Sequence, residues 1–174
     1  MVKKVTIALL CMTLGSSLQA RDISTGEKFL GLEVGAAQIQ ADTLSELDHE
    51  GSSAEFGFRL GVQNEDWRTT LIFDYFDSSD DDQNYEKGMV TVDYYFMGSD
   101  NQQTINPYIG LNIGYMNYES TYIDESGFLY GGQVGVTLEV IDNVDIDLGY
   151  RYSLTDADQT DHIGSVVLGI NYLY

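Results

Sequence analysis

The sequence has few of the residues that would hold a small protein together by covalent links. Its 174 residues contain one proline and one cysteine, so no disulfide can form within the chain. The longest apolar run is short and lies at the amino-terminus, which argues against a transmembrane helix. Bases are also scarce, with eight Lys and Arg against 28 Asp and Glu. So acidic a chain repels nucleic acid, and we predict no nucleic-acid partner.

The amino-terminal twenty residues have the pattern of a secretory signal peptide. Lys3-Lys4 is the charged start, Val5–Leu14 is the apolar centre, and Leu18-Gln19-Ala20 is a cleavage site. We therefore predict one mature domain, residues 21–174, which loses Cys11 and carries six bases against 28 acids, a net charge of −22. Leu10 before Cys11 is too bulky for a lipid-attachment site.

What the chain has in abundance is regularly spaced apolar and aromatic residues, with 18 Gly, 13 Tyr and seven Phe, which excludes disorder. Ala54–Gln63 alternates apolar and polar residues without a break over ten positions, which is the length of a tilted strand that crosses a bilayer. Eight segments show this period of two: Phe29–Ala37, Ala54–Gln63, Trp67–Phe76, Lys87–Phe96, Pro107–Tyr115, Phe128–Val140, Val144–Leu154 and Ile163–Tyr174.

The spacing predicts an all-β fold, an eight-stranded antiparallel up-and-down transmembrane β-barrel. Four long connections lie on one side, at Gln38–Ser53, Asp77–Glu86, Met116–Gly127 and Thr155–His162. Three connections lie on the other side, and two of these, Asn64–Asp66 and Ile141–Asn143, are short. The third is Met97–Asn106. This asymmetry is typical of outer-membrane barrels.

The polar face of each strand would point into the barrel, together with ten glycines that relieve crowding there. Buried charges persist only when they are paired, so we predict an ion-pair network in the lumen. Its members are Glu33, Glu55, Arg59, Arg68, Asp74, Asp93, Glu139, Asp145, Asp147 and Arg151. A soluble barrel of the lipocalin kind would show the reverse pattern, with apolar residues inside.

Aromatic residues collect at the strand ends, where they would form two girdles at the membrane interfaces. The predicted periplasmic girdle is Trp67, Phe96, Tyr172 and Tyr174. The predicted outer girdle is Phe56, Tyr75, Tyr115, Phe128 and Tyr152.

The last strand alternates apolar residues and ends on an aromatic one, Tyr174. With Pro107-Tyr108-Ile109-Gly110 and Leu148-Gly149-Tyr150-Arg151-Tyr152, it resembles the small eight-stranded outer-membrane proteins, the OmpA transmembrane domain and the OmpX type. The resemblance implies the outer membrane of a Gram-negative bacterium, contact with its lipids and lipopolysaccharide, and assembly by the secretion machinery, periplasmic chaperones and the barrel assembly machinery. It also implies a monomer, because a complete barrel needs no partner to close, and no cofactor.

Three functions are open at this point. The favoured one is a structural or surface-interaction scaffold that displays acidic extracellular loops and has no open pore. A narrow cation-preferring channel is the alternative, since seven inward acids exceed three inward arginines. A lipid A-modifying enzyme would need a nucleophile beside a base. The only histidines are His49 and His162, and strand parity puts Ser165 on the opposite face from His162, so we predict no enzyme.

Fifteen acids lie in the four outer loops, and most simply form a solvated surface. The candidate site for a divalent cation is Asp80-Asp81-Asp82, because hard cations prefer oxygen ligands. Three adjacent aspartates do not match the spaced ligands of a dedicated calcium loop.

Overall fold

The computed structural model describes residues 26–40, 51–78, 83–96, 105–119, 124–156 and 162–174, and these residues form one closed barrel. The eight strands pair in chain order, each antiparallel to its neighbours. They are β1 (Glu27–Gln40), β2 (Gly51–Gln63), β3 (Trp67–Ser78), β4 (Gln83–Tyr95), β5 (Ile105–Glu119), β6 (Asp124–Ile141), β7 (Val144–Thr155) and β8 (His162–Leu173). The predicted fold class is confirmed.

The barrel closes where β1 pairs with β8, and the pairing fixes the tilt of the strands. When backbone partners are followed once round the barrel from Glu27, the path returns to β1 at Ala37, ten residues further on. A shear of ten over eight strands corresponds to a tilt of about 40° from the barrel axis. Charged side chains from distant strands therefore reach the same level of the lumen.

Burial alternates along each strand with the period of two that the sequence predicts. In β8, buried positions alternate with exposed ones from Ser165 to Leu173. Outward residues such as Leu111 are highly exposed at 74%, whereas the inward Arg68 and Asp93 are fully buried. An apolar outer surface around a polar interior suits a wall that faces lipid.

The strands extend further at the outer end than the sequence pattern indicates. All four predicted outer loops lie partly within strands. β1–β2, β3–β4 and β5–β6 continue as paired hairpins, and the fourth loop gives Thr155 to β7 and His162 to β8. Glu119 pairs with Asp124, for example, inside the predicted loop Met116–Gly127. The physical reason is that hairpin pairing in water needs no apolar face, so the strand continues after the alternation ends. At the other end, β4 and β8 each end one residue earlier than predicted, at Tyr95 and Leu173.

Side chains define the short turns at the periplasmic end. The Asn64 side-chain oxygen accepts hydrogen bonds from the backbone N–H groups of Asp66 at 3.0 Å and Trp67 at 2.8 Å. Asn143 donates its side-chain amide to the Leu173 carbonyl at 3.1 Å, which ties the β6–β7 turn to β8. These bonds fix the β2–β3 and β6–β7 turns, and with them the register of the charged residues inside.

Candidate functional site: the lumen

The inward face places most of the predicted charged residues in one buried network. Eight of the ten predicted members take part in ion pairs: Glu33, Glu55, Arg59, Arg68, Asp74, Asp93, Asp147 and Arg151. All eight are at most 5% exposed. The network has two clusters, which Arg59 and Gln133 connect.

The first cluster lies toward the outer end and is centred on Lys87 and Arg151. The Lys87 Nζ lies 3.0 Å from the Glu55 carboxylate and 2.9 Å from that of Asp74. The Arg151 guanidinium contacts Glu33 at 3.1 Å and Asp74 at 3.6 Å. Asp74 therefore serves two cations, and the cluster joins strands β1, β2, β3, β4 and β7.

The second cluster lies toward the periplasmic end and is centred on Arg68. Arg68 makes two 2.9 Å contacts with Asp93, one from Nε and one from Nη2, and its Nη1 donates to Asp147. The Tyr108 hydroxyl donates to Asp147 at 2.8 Å. The guanidinium of Arg68 also lies 4.5 Å from the centre of the Tyr108 ring, within cation–π range. A fully buried charge is thus stabilised from several sides.

Two side chains connect the clusters. Arg59 lies between Glu33, at 3.4 Å, and Asp147, at 3.6 Å. Gln133 donates its amide to Asp93 at 2.5 Å and accepts from the Arg151 Nε at 3.0 Å. Charge pairing and hydrogen bonding therefore run continuously across the lumen.

The inward glycines make space for these charged groups. A Cβ added to Gly57 would collide with the Asp74 carboxylate, and one added to Gly110 would collide with that of Asp93. Gly169 lies under the guanidinium of Arg59 in the same way. The glycine pattern and the ion-pair pattern are therefore a single packing arrangement, in which a glycine on one strand accommodates a charged head group from another.

Three members of the site could not be recognised as such from the sequence. Lys87, Gln133 and Tyr108 all have inward parity, but only charge signals pairing, and Gln133 and Tyr108 are neutral at neutral pH. Lys87 is the first residue of a predicted strand and follows a mostly polar segment. Apolar alternation therefore does not show which face of the strand it lies on.

Glu139 and Asp145 correct the predicted network, because neither forms an ion pair within the described ranges. Glu139 is exposed at the periplasmic rim. Asp145 is 5% exposed and accepts a hydrogen bond from the Gln63 side chain at 3.2 Å. Strand parity correctly gives the face of each residue but does not give its depth.

Both residues line a cavity of about 650 Å³ at the periplasmic end. Six acids border this periplasmic mouth: Glu27, Glu65, Asp66, Glu139, Asp142 and Asp145. Its other lining residues include Tyr95, Asn106 and Leu173, and none of the lining residues is basic.

Apolar side chains pack inside the barrel toward its outer end. The cluster consists of Ala37, Ile72, Met89, Met116, Leu129 and Ile163, each at most 4% exposed. Ile163 lies one residue from the outer end of β8, and Met116 lies three residues from that of β5. Ile72 and Met89 lie deeper, each two residues nearer the periplasmic end than Asp74 on β3 and Lys87 on β4. This outer apolar cluster therefore packs beside the first charged cluster as well as above it.

The structure places the residues of both predicted girdles on the outer surface. Trp67 and Phe96 are 51% and 58% exposed, and Phe56 and Phe128 are 65% and 60% exposed. Tyr94, which the prediction omitted, connects Trp67 and Phe96 through ring contacts of 5.0 and 6.0 Å. The remaining predicted members also face outward: Tyr75, Tyr115, Tyr152, Tyr172 and Tyr174.

The candidate cation cluster Asp80-Asp81-Asp82 and His49 lie outside the described residues. Within the described ranges, no group of three or more His, Cys, Asp or Glu side chains could hold a metal ion. No helix in the same ranges has the length and apolarity to span a membrane.

Comparisons with known proteins agree with this architecture. The sequence model of the outer membrane protein beta-barrel domain family matches residues 7–172. A search of curated proteins found no match.

Solved structures share the fold at low sequence identity. Neisserial surface protein A is 19% identical, with a TM-score of 0.65 over 84% of this chain and 97% of its own. Outer membrane protein H of P. aeruginosa is 20% identical, with a TM-score of 0.62 over 85% and 99%. Ail of Yersinia pestis, in complex with the heparin analogue sucrose octasulfate, is 18% identical, with a TM-score of 0.53 over 86% and 99%.

Proposed function

From its membership of the outer membrane protein beta-barrel domain family, and its location in the outer membrane of a Gram-negative bacterium, we propose that this chain is a closed scaffold. Its barrel anchors acidic extracellular loops in the membrane and has no open pore. The observation that carries this proposal is the buried ion-pair network, which occupies the cross-section of the lumen.

The charge balance of the deep lumen supports a closed scaffold over a cation channel. Once Lys87 is included and Glu139 and Asp145 are placed at the periplasmic mouth, five acids face four bases. A hydrated ion that entered would have to displace paired charges, and separating a buried pair costs about 3–5 kcal/mol. The outer apolar cluster adds a second barrier, since a constriction of this kind sheds water.

A narrow cation-preferring channel is the second candidate, and the periplasmic mouth favours it. Six acids without a lining base would concentrate cations at that entrance. The mouth leads to the Arg68 cluster, however, and both Arg68 and Asp93 are fully buried there. We therefore propose that cations gather at the mouth without crossing the barrel.

The geometry favours a non-catalytic protein. Ser165 points inward and is 2% exposed, whereas the His162 ring lies 5.1 Å from that of Tyr152 on the outer surface. The two residues lie on opposite faces of β8, so His162 cannot act as the base for Ser165.

The outer loops suggest which partners the scaffold meets. Ail was solved with a heparin analogue, a sulfated anion, but the four predicted outer loops of this chain have fifteen acids and no Lys or Arg. We infer that sulfated glycans are not its partners. Lipids and lipopolysaccharide around the barrel, divalent cations at the loops and a monomeric state remain part of the proposal.

Planar-bilayer conductance of the purified protein tests the proposal. A heat-dependent shift in gel mobility verifies the barrel first, and an open porin serves as the positive control. We expect no discrete conductance steps from the folded barrel. Cation-selective steps that shrink in Asp145→Asn would overturn the closed scaffold and establish the channel.

A further inference from the structure

The ladder between β2 and β3 ends well before the two strands do. Phe56–Tyr75 is its last backbone pair within the described ranges. Above this pair, β2 continues to Gly51 beside β1, and β3 continues to Ser78 beside β4. Among the described residues, Gly51–Glu55 and Phe76–Ser78 therefore have strand partners on one side only, and we refer to the space between them as the outer gap.

Strand parity identifies the backbone groups that face the outer gap. The Asn64 N–H donates to the Trp67 carbonyl at 2.8 Å, so the even-numbered residues of β2 direct their N–H and C=O groups toward β3. By the same alternation, Ser52 and Ala54 on β2 and Asp77 on β3 direct theirs into the gap. These groups form two short, facing strand edges.

An ion triad fixes the lower end of the gap. Lys87 contacts Glu55, the residue next to the last pair on β2, at 3.0 Å. It also contacts Asp74, the residue next to the last pair on β3, at 2.9 Å. Lys87 thus joins the two strands from inside the lumen where they separate, so that the pairing below does not open.

The gap begins beyond Phe56 and Tyr75, which belong to the predicted outer girdle, so its backbone edges lie on the outer side of the membrane interface. Exposed strand edges are templates for another extended chain, which gains backbone hydrogen bonds by pairing. The free edge of β2 is five residues long, or about 17 Å at the usual rise per residue.

We propose that the outer gap binds an extended, basic segment of a partner protein by strand addition. Charge complementarity identifies the occupant. The two predicted loops that flank the gap, Gln38–Ser53 and Asp77–Glu86, contain nine acids and no Lys or Arg. A second copy of this chain would bring the same negative charge and be repelled. The inference deepens the proposed scaffold function and rests on it, because it names the partner class of the displayed surface.

The test uses an eight-residue peptide of alternating Lys and Val and the isotope-labelled full-length mature protein in micelles. Binding is followed by NMR through backbone amide shifts. We expect the shifts to concentrate at Ser52, Ala54 and Asp77. A peptide with the same sequence, N-methylated at every second residue, keeps its charge but loses half of its donors, and we expect it to bind at least tenfold more weakly.

A pair of variants tests the same contact from the side of the protein. Ala54→Pro removes one N–H that faces the gap, and we expect at least a tenfold loss of peptide affinity. Ala54→Val keeps that N–H and should bind within twofold of the wild type. Heat-dependent gel mobility shows that each variant has folded, and the N-methylated peptide tests the wild type independently of either variant.

Several results would overturn the inference. Equal binding of the N-methylated peptide would reduce the interaction to charge alone. Equal binding of an alternating Glu and Val peptide would remove the charge selectivity, and self-association through the gap would make a second copy the occupant. Absence of peptide binding by a barrel that is silent in bilayers would reject this site while leaving the closed scaffold intact, so the two failures are distinguishable.

Discussion

The deep lumen, which holds the two ion-pair clusters, and the periplasmic mouth are both rich in acids. The two regions differ in whether those acids contact a base. In the deep lumen, Asp93 and Asp147 contact the guanidinium of Arg68 in the absence of solvent. At the mouth, Glu139 is exposed and Asp145 contacts only the neutral amide of Gln63 among the described polar groups. Among these four acids, the two that contact a base are buried, Glu139 is exposed without one, and Asp145 is an intermediate case, 5% exposed beside a neutral amide.

This difference reflects the cost of removing a charge from water. A buried carboxylate without a counter-ion is strongly unfavourable, whereas an acid at a wet rim keeps its hydration. The inward face therefore holds two populations of acids that look alike in sequence. The paired acids of the deep lumen are part of the packed core, whereas Glu139 and Asp145 contribute to the negative electrostatic potential of the periplasmic mouth.

The largest effect should follow from removing Arg68. In Arg68→Ala, both Asp93 and Asp147 lose their closest base while they stay buried, and we expect a loss of about 3–5 kcal/mol in the free energy of unfolding. Urea titration in lipid vesicles can follow this through Trp67, the only tryptophan. Arg68→Lys keeps the charge and should recover part of the loss. Wild-type stability in Arg68→Ala would refute a structural role for the pair.

Arg151 and Arg59 provide a finer comparison within the deep lumen. Arg151 contacts Glu33 at 3.1 Å and Gln133 at 3.0 Å, whereas both contacts of Arg59 are 3.4 Å or longer. We expect Arg151→Ala to lower the unfolding free energy by about 3 kcal/mol, and Arg59→Ala by less. The same urea titration ranks the two variants. The opposite order would show that Arg59, as the bridge between clusters, matters more than its distances indicate.

The sequence was sufficient to predict the strands and the faces of their residues, because the membrane imposes a strict period of two. Ala54–Gln63 alternates without interruption, and the structure puts Arg59 inside and Phe58 outside accordingly. The pairing of charges could not be predicted. Arg151 on β7 meets Glu33 on β1 only because the barrel closes with a shear of ten, a global property that no local pattern records.

Depth was the other quantity that the sequence could not supply. Glu139 and Gln133 share one face of β6, but one lies at the wet rim and the other lies in the dry network. The outer limits of the strands were missed for a related reason. Paired hairpins above the membrane, such as Glu119 with Asp124, need no apolar alternation, so the signal ends before the strand does.

Packing density should also distinguish the lumen from the lipid-facing wall. A Cβ at Gly131 would lie 2.8 Å from the Ser153 Cα, against backbone that cannot rotate away. We expect Gly131→Ala to destabilise the barrel by about 1–3 kcal/mol, the usual range for overpacking. On the outer face, the nearest atom to a Cβ at Gly88 is 3.8 Å away, so Gly88→Ala is the matched control and should be nearly neutral. Equal losses of unfolding free energy in the two variants would indicate that the lumen accommodates an added methyl group as readily as the lipid-facing surface does.

The smallest effect belongs to the periplasmic mouth, and it is the most direct check of the contrast between the two regions. Glu139 is exposed and forms no ion pair within the described ranges, so Glu139→Gln should change the unfolding free energy by less than about 0.5 kcal/mol. Asp93→Asn is the matched control in the deep lumen, because the same neutralisation there removes a partner of the fully buried Arg68. We expect that variant to lose several-fold more stability in the same titration. If Glu139→Gln and Asp93→Asn had the same small effect, burial would not decide which inward acids need a base. The distinction between the paired acids and Glu139 would then be wrong.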